Sequence, residues 1–200
     1  IKTNDNNTVN IIFNIDLGEK SKVSIIEFTG DKIFKDKTLR NIITTEENKF
    51  WKFLSGKKYL NQQNLSLDER LLKQFYLNNG YYDVSVNTST ATILDDDSFK
   101  LTYNINAGNL FTINSAKLDI PIDYNPINFT KVQKLLNELE GNKYSFNKIS
   151  KIVKEIDKIS LSREFDFINA SILEEKSDTN KININFKVTE SEKLYVERIN

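Results

Sequence analysis

Apolar residues recur at every second position along three separated stretches of the chain, Ile12 being an additional apolar residue in the first. These are Val9, Ile11, Phe13 and Ile15; Phe99, Leu101, Tyr103 and Ile105; and Ile182, Ile184, Phe186 and Val188. A period of two puts each set on one face of a half-buried strand. The stretches run up to Gly18, Gly108 and Ser191. Five residues beyond each end point stands Val23, Ile113 or Val196, and three further on Ile26, Ala116 or Ile199. One strand therefore closes a unit and the next opens its successor, with a period of about 85 residues, a normal size for a small domain. The Val9–Ile15 segment has no strand partner upstream, Leu194 to Ile199 reads as a further strand, and the chain contains no Met. Both ends are therefore expected to be cuts through a longer protein.

The first complete unit, residues 21–108, resolves into five elements. A strand is predicted over Lys22 to Phe28, followed by a turn at Thr29-Gly30-Asp31 and a short helix capped by Asp36 that carries Leu39, Ile42 and Ile43. A second helix is predicted from Ser66, which with Glu69 has the spacing of a capping box. It buries Leu67, Leu71, Leu72, Phe75 and Tyr76 and ends at Gly80 in a left-handed cap. Strands over Tyr82 to Leu94 and Phe99 to Asn106 complete the unit around a turn at Asp95-Asp96-Asp97-Ser98.

Residues 109–191 repeat this order. Strands are predicted at Phe111 to Ile120, Phe167 to Glu174 and Lys181 to Val188, and helices near Asn128 to Leu139 and Phe146 to Leu161. The fold class is α+β, each unit being strand–helix–helix–strand–strand with a three-stranded mixed sheet covered by two helices. Because each unit spends its apolar stripes internally, little apolar surface is expected at the joint near Gly108-Asn109-Leu110, and some relative swing follows.

Composition narrows the chemistry. Twenty-eight basic and 28 acidic side chains cancel, which argues against nucleic acid or another polyanion as partner. With no Cys and no His, the chain cannot build a thiolate or imidazole metal site, a disulfide framework or a nucleophile–imidazole triad. No run of apolar residues reaches the roughly 18 of a membrane span.

Specific motifs then point to a family. Gly80-Tyr81-Tyr82-Asp83-Val84-Ser85-Val86, after a helix ending Gln74-Phe75-Tyr76-Leu77, resembles the Y-x-x-x-G-Y-x-x-x-x-V signature of POTRA domains. Phe28-Thr29-Gly30-Asp31 is similar to the F-x-G-N that closes the first POTRA strand, and Tyr195 to Ile199 to the strand that opens a further repeat. Trp51 in a long inter-helix loop, followed by Lys58-Tyr59, resembles the third repeat of the outer-membrane assembly branch of the family. On that register residues 1–20 are the tail of a second repeat, 21–108 the third, 109–191 the fourth and 192–200 the start of a fifth. The second unit departs from the pattern, with Arg163-Glu164-Phe165-Asp166 in place of the Gly-ended turn, and Pro121 and Pro126 after its first strand. The resemblance implies a periplasmic scaffold ahead of a transmembrane barrel, which receives unfolded outer-membrane proteins and docks accessory lipoproteins. This segment itself does not span the membrane.

Catalytic, metal-ligating and cofactor-binding residues are assigned nowhere. Asp95, Asp96 and Asp97 are consecutive, without the alternation, glycine and distal glutamate of a calcium loop, so a solvated turn is expected. Phe50, Trp51, Phe53 and Leu54 either tuck under the helices or present a contact patch to a partner. Lys148, Lys151, Lys154 and Lys158 line the polar side of one helix, a solvated face or a dock for an acidic partner. The strand Val84, Ser85, Val86, Asn87, Thr88, Ser89, Thr90, Ala91, Thr92 and Ile93 carries more. It bears no charge and no Pro, and its alternation slips between Asn87 and Thr90 as a β-bulge requires. Edge strands are ordinarily protected by charge, Pro or shortness, so this one is expected to accept an added client strand. The alternatives are a spacer whose repeats only set a distance, a POTRA module of a secretion or division protein and, more remotely, a carboxylate enzyme.

Overall fold

The computed structural model describes residues 2–3, 9–10, 22–49, 58–96, 98–160, 168–177 and 179–190. At the amino end β1 (Lys2–Thr3) and β2 (Val9–Asn10) pair antiparallel, so Val9 does have an upstream partner. Positions 11–15 lie outside the described residues.

The first unit contains β3 (Val23–Asp31), α1 (Asp36–Arg40), α2 (Gln62–Asn78), β4 (Ser85–Ile93) and β5 (Phe99–Asn106). The second contains β6 (Thr112–Asp119), a 3-10 turn at Pro126–Phe129, α3 (Thr130–Asn137), α4 (Phe146–Ser160), β7 (Ile168–Lys176) and β8 (Lys181–Glu190). The sheet orders are β3-β5-β4 and β6-β8-β7. In each sheet the last strand lies at the centre, parallel to the first and antiparallel to the second.

The spacing of three between Val23 and Ile26, and between Ile113 and Ala116, has a structural cause. Pairing slips by one residue between Val23 and Ile25, and again between Ile113 and Ser115. A single extra residue returns the next side chain to the same face, so all four point into their cores. Val23, Ile26 and Phe28 pack with Leu101, Tyr103 and Ile105 under Leu39, Leu72 and Tyr76. In the second unit Ile113, Ile182, Ile184 and Phe186 pack under Val132, Leu136, Ile149, Ile152 and Ile156.

Several boundaries differ from the sequence-based expectation. Asp36 does not cap α1. Lys35 occupies that position without a side-chain bond, and Asp36 sits in the first turn, where the positive helix end favours it, bridged to Lys32 at 2.6 Å. Nor does α2 start at Ser66. Asn61 is the cap, its side chain accepting from the Gln63 N–H at 2.8 Å, so Ser66 and Glu69 lie inside the helix. The extra turn packs Leu65 against the core, whereas Leu67 and Leu71 stay half-buried. Thr29-Gly30-Asp31 is strand rather than turn. Gly30 has φ +82°, and a Cβ there would stand 2.3 Å from the Ile105 carbonyl oxygen, so glycine lets β3 run on beside β5 to Asp31.

The joint also differs. The cores are separate clusters, but Leu77 packs against both, and Tyr82, expected in the strand, packs with Phe111 and Tyr144 of the second unit at 5.6 and 4.8 Å between ring centroids. The Phe111 N–H donates to the Gly80 carbonyl at 2.7 Å, and the Asn147 N–H to Asn78 Oδ1 at 2.7 Å. The apolar helix stripes are consumed internally, but the two tyrosines leave aromatic surface that only the joint can bury. The joint is therefore packed, and the expectation of bare, swinging units is corrected.

Candidate strand-docking edge

Each three-stranded sheet has two outer strands, and in both units one of them is sealed. On β3 the Ile26 N–H donates to Glu47 Oε1 at 3.1 Å and the Ile26 carbonyl accepts from Arg40 at 2.7 Å. The Val23 carbonyl takes the Asn48 N–H, and the Phe28 carbonyl takes Lys32 Nζ. On β6 the Ala116 N–H donates to Glu140 Oε1 at 2.9 Å, while Ile113 exchanges bonds with the Gly141 N–H and the Asn142 carbonyl. Ile26 and Ala116 hold equivalent places in the repeat, and each is met by a glutamate from the segment after the first helix. These outward groups are already satisfied, so an incoming strand gains nothing there.

The opposite edges differ. β4 and β7 each have a partner on one side only, and among the described residues no hydrogen bond seals the outward backbone of either. The expected bulge in β4 is present as a slip in pairing between Thr88 and Thr90. Ile93 is exposed near its end and Val84 is buried just before its start. Beside β7 runs a groove of about 610 Å³ against α4, lined by Tyr144, Phe146, Ile149, Val153 and Ile172, with Glu174 at its wall.

Other sites fall into place around this edge. Asp96 closes the hairpin turn, accepting the Ser98 N–H at 3.2 Å and the Ser98 hydroxyl at 2.5 Å, and those bonds hold its carboxyl below the usual range. Among the described residues no group of three or more acidic side chains is placed to hold a metal ion. Lys148, Lys151, Lys154 and Lys158 are all exposed, and Lys158 pairs with Glu155 at 2.7 Å. Phe50, Trp51, Phe53 and Leu54 lie outside the described residues.

Sequence reasoning missed two clusters. Asp68, fully buried in α2, accepts from the Thr44 N–H at 2.5 Å, the Thr44 hydroxyl at 2.7 Å and the Tyr103 hydroxyl at 2.8 Å. It ties the segment after α1 to the centre of the sheet. Burial, and then the Asp68 carboxylate, push the Tyr103 phenol far up. At the joint the Tyr144 hydroxyl donates to Glu174 at 3.0 Å, and Lys176 bridges Asp83 at 2.7 Å while lying over the Tyr82 and Phe111 rings. Burial and the neighbouring Glu174 carboxylate raise Tyr82 to about 12. A charged residue inside a helical apolar stripe, as at Asp68, was the one available signal.

Residues 21–108 match the family model of POTRA, described as a surface antigen variable number repeat. The second unit, residues 109–191, repeats the same elements and sheet order as the matched one. Over 99 residues it is 31% identical to the outer membrane protein assembly factor BamA of Neisseria meningitidis serogroup B, covering 50% of this chain and 12% of that protein. It is 29% identical over 111 residues to BamA of Buchnera aphidicola, covering 55% of this chain and 18% of that one. The chain thus spans less than a fifth of the length of either relative. Its fold matches the crystal structure of Haemophilus influenzae BamA POTRA3-5 with a TM-score of 0.67 at 19% identity, over 87% of this chain and 68% of that one.

Proposed function

We propose that this chain is a periplasmic scaffold of the outer-membrane β-barrel assembly machinery, that it holds unfolded outer-membrane proteins by strand addition along Val84–Ile93, and that it docks accessory lipoproteins. Its repeats are read as the third and fourth of their array, flanked by parts of the second and fifth. The similarity to two BamA proteins supports the setting. The observation that carries the mechanism is the contrast between the sealed edge of β3 and the open, uncharged edge of β4. Among the described residues no helix is long and apolar enough to cross a membrane.

An added strand gains backbone hydrogen bonds worth a net ~0.5–1.5 kcal/mol each against an ordering cost of ~1–2 kcal/mol per residue. The two nearly cancel. Holding is therefore weak, tolerant of sequence and quickly reversed, as a handoff requires.

Photocrosslinkers placed along Val84–Ile93 in cells are expected to capture nascent outer-membrane proteins. Thr90→Pro, which distorts the edge backbone, is expected to reduce capture while the protein still unfolds cooperatively. Equal capture by a folded Thr90→Pro protein would favour the spacer reading, for which the packed joint is the supporting observation.

A further inference from the structure

The chain carries 26 asparagines, and only Asn79 is followed by glycine. A glycine has no side chain to shield its amide nitrogen, so of all following residues it attacks an asparagine side chain most readily. This pair also stands where α2 hands the chain on to the joint. We propose that Asn79 is a self-modification site, guarded by the packed joint and converted to aspartate or isoaspartate when the joint opens. The proposal is independent of strand docking.

The chemistry needs only water. The Gly80 nitrogen attacks Asn79 Cγ and gives up its proton, and the side-chain nitrogen leaves as ammonia, which closes a succinimide ring. Water then adds to one ring carbonyl and breaks its bond to the ring nitrogen. Addition at the side-chain carbonyl leaves aspartate at position 79. Addition at the main-chain carbonyl leaves isoaspartate, whose backbone is one carbon longer.

In the folded chain both reacting groups are already engaged. Asn79 is the C-terminal cap of α2, and its Nδ2 donates to the Phe75 carbonyl at 2.8 Å. The Gly80 N–H donates to the Leu77 carbonyl at 3.3 Å, and the Tyr81 N–H to the Tyr76 carbonyl at 3.1 Å. Ring closure must break the first two of these bonds. The second unit adds its own hold. Gly80 is buried against it, with atoms of Leu110, Lys143 and Phe111 within 3.4 Å of where a Cβ would stand, and its carbonyl accepts the Phe111 N–H at 2.7 Å. The peptide between Asn79 and Gly80 must rotate to close the ring, and it cannot rotate while Phe111 clasps Gly80. Reaction is therefore confined to moments when cap and joint are open together, and its rate reads the population of that open state.

Either product hinders reclosure. Aspartate at position 79 has no N–H to offer the Phe75 carbonyl, and its charge lies at the negative end of α2. Isoaspartate displaces Gly80 by one backbone carbon, so the cap and the Phe111 bond cannot both re-form. A transient opening thus becomes permanent, and packed repeats turn into swinging ones as the protein ages.

The test holds the 200-residue protein in warm, mildly alkaline buffer and follows deamidation at each asparagine by peptide mapping, with methyltransferase labelling of isoaspartate. Asn79 is expected to react fastest of all the asparagines when the chain is unfolded in guanidinium chloride, and at least tenfold more slowly in the folded protein. Tyr82→Ala and Lys176→Ala remove different joint contacts, the ring stack on Tyr144 and the bridge to Asp83. Each should raise the folded rate at least threefold, and either suffices if the other fails to unfold cooperatively. Asn79→Asp, which installs one product directly, should require two alignment tensors for the two sheets where the parent fits one. Equal Asn79 rates in folded and unfolded chains, a faster asparagine elsewhere in the unfolded chain, a folded rate that neither joint variant moves, or a single tensor for Asn79→Asp would each overturn the proposal.

Discussion

Gly80 serves two purposes at once, which explains why its position tolerates little else. It turns the chain out of α2 at φ +97°, and a Cβ there would approach Leu110 Cδ1 to 2.6 Å. The leucine methyl can yield, but a β-branched residue cannot relax a positive φ, so Gly80→Val is expected to destabilise by about 1–3 kcal/mol in urea unfolding. Asp68 sets a second expectation. Asp68→Ala strands the Thr44 N–H and the Tyr103 hydroxyl in a buried site, at a cost of about 3 kcal/mol in the same measurement, whereas Tyr103→Phe should cost nearer about 1 kcal/mol. Glu155 gives the acid dependence. Hydrogen bonds from Lys131 and Lys158 hold its carboxyl down at about 2, so its stabilisation is complete above the ordinary carboxylate value and fades as pH falls toward 2. In thermal unfolding from pH 5 to pH 2, Glu155→Gln should lose less Tm than the parent. None of these three roles follows from residue type alone, except that Gly80 after a helical stripe already announces a stop.

Among the elements, the strand and helix order of both units was legible because period-two and period-3.6 patterns survive without tertiary information. Phe99 to Asn106 was placed to the residue, and the bulge in β4 was visible as a slip in alternation. Ends were less legible because caps compete locally. Ser66 and Glu69 have the spacing of a capping box, yet the gain from packing Leu65 carries the helix back to Asn61. Edge status was only half legible, since a strand's lack of charge says that it is unprotected while the glutamates that seal β3 and β6 stand more than 20 positions away. Glu140→Ala should accordingly speed amide exchange at Ala116 selectively, leaving Ile184 in the centre of the same sheet protected.

For the molecule as a whole, the joint was the least legible feature, because nothing marks Tyr82 and Tyr144 as partners 62 positions apart in sequence until the units are stacked. Aligned NMR samples should give residual dipolar couplings for β3, β5, β6 and β8 that fit one alignment tensor, and Tyr82→Ala should require two. The sealed strands have a further consequence, best put in the language of polymer chemistry. A sheet open at both sides is a bifunctional monomer: each addition leaves a fresh reactive side, and growth continues into ribbons. With β3 closed by Glu47 and Arg40 and β6 by Glu140, each repeat is monofunctional. It can take up one strand on one side but cannot bridge two, so a repeat can stand only at the end of a strand array and never within it.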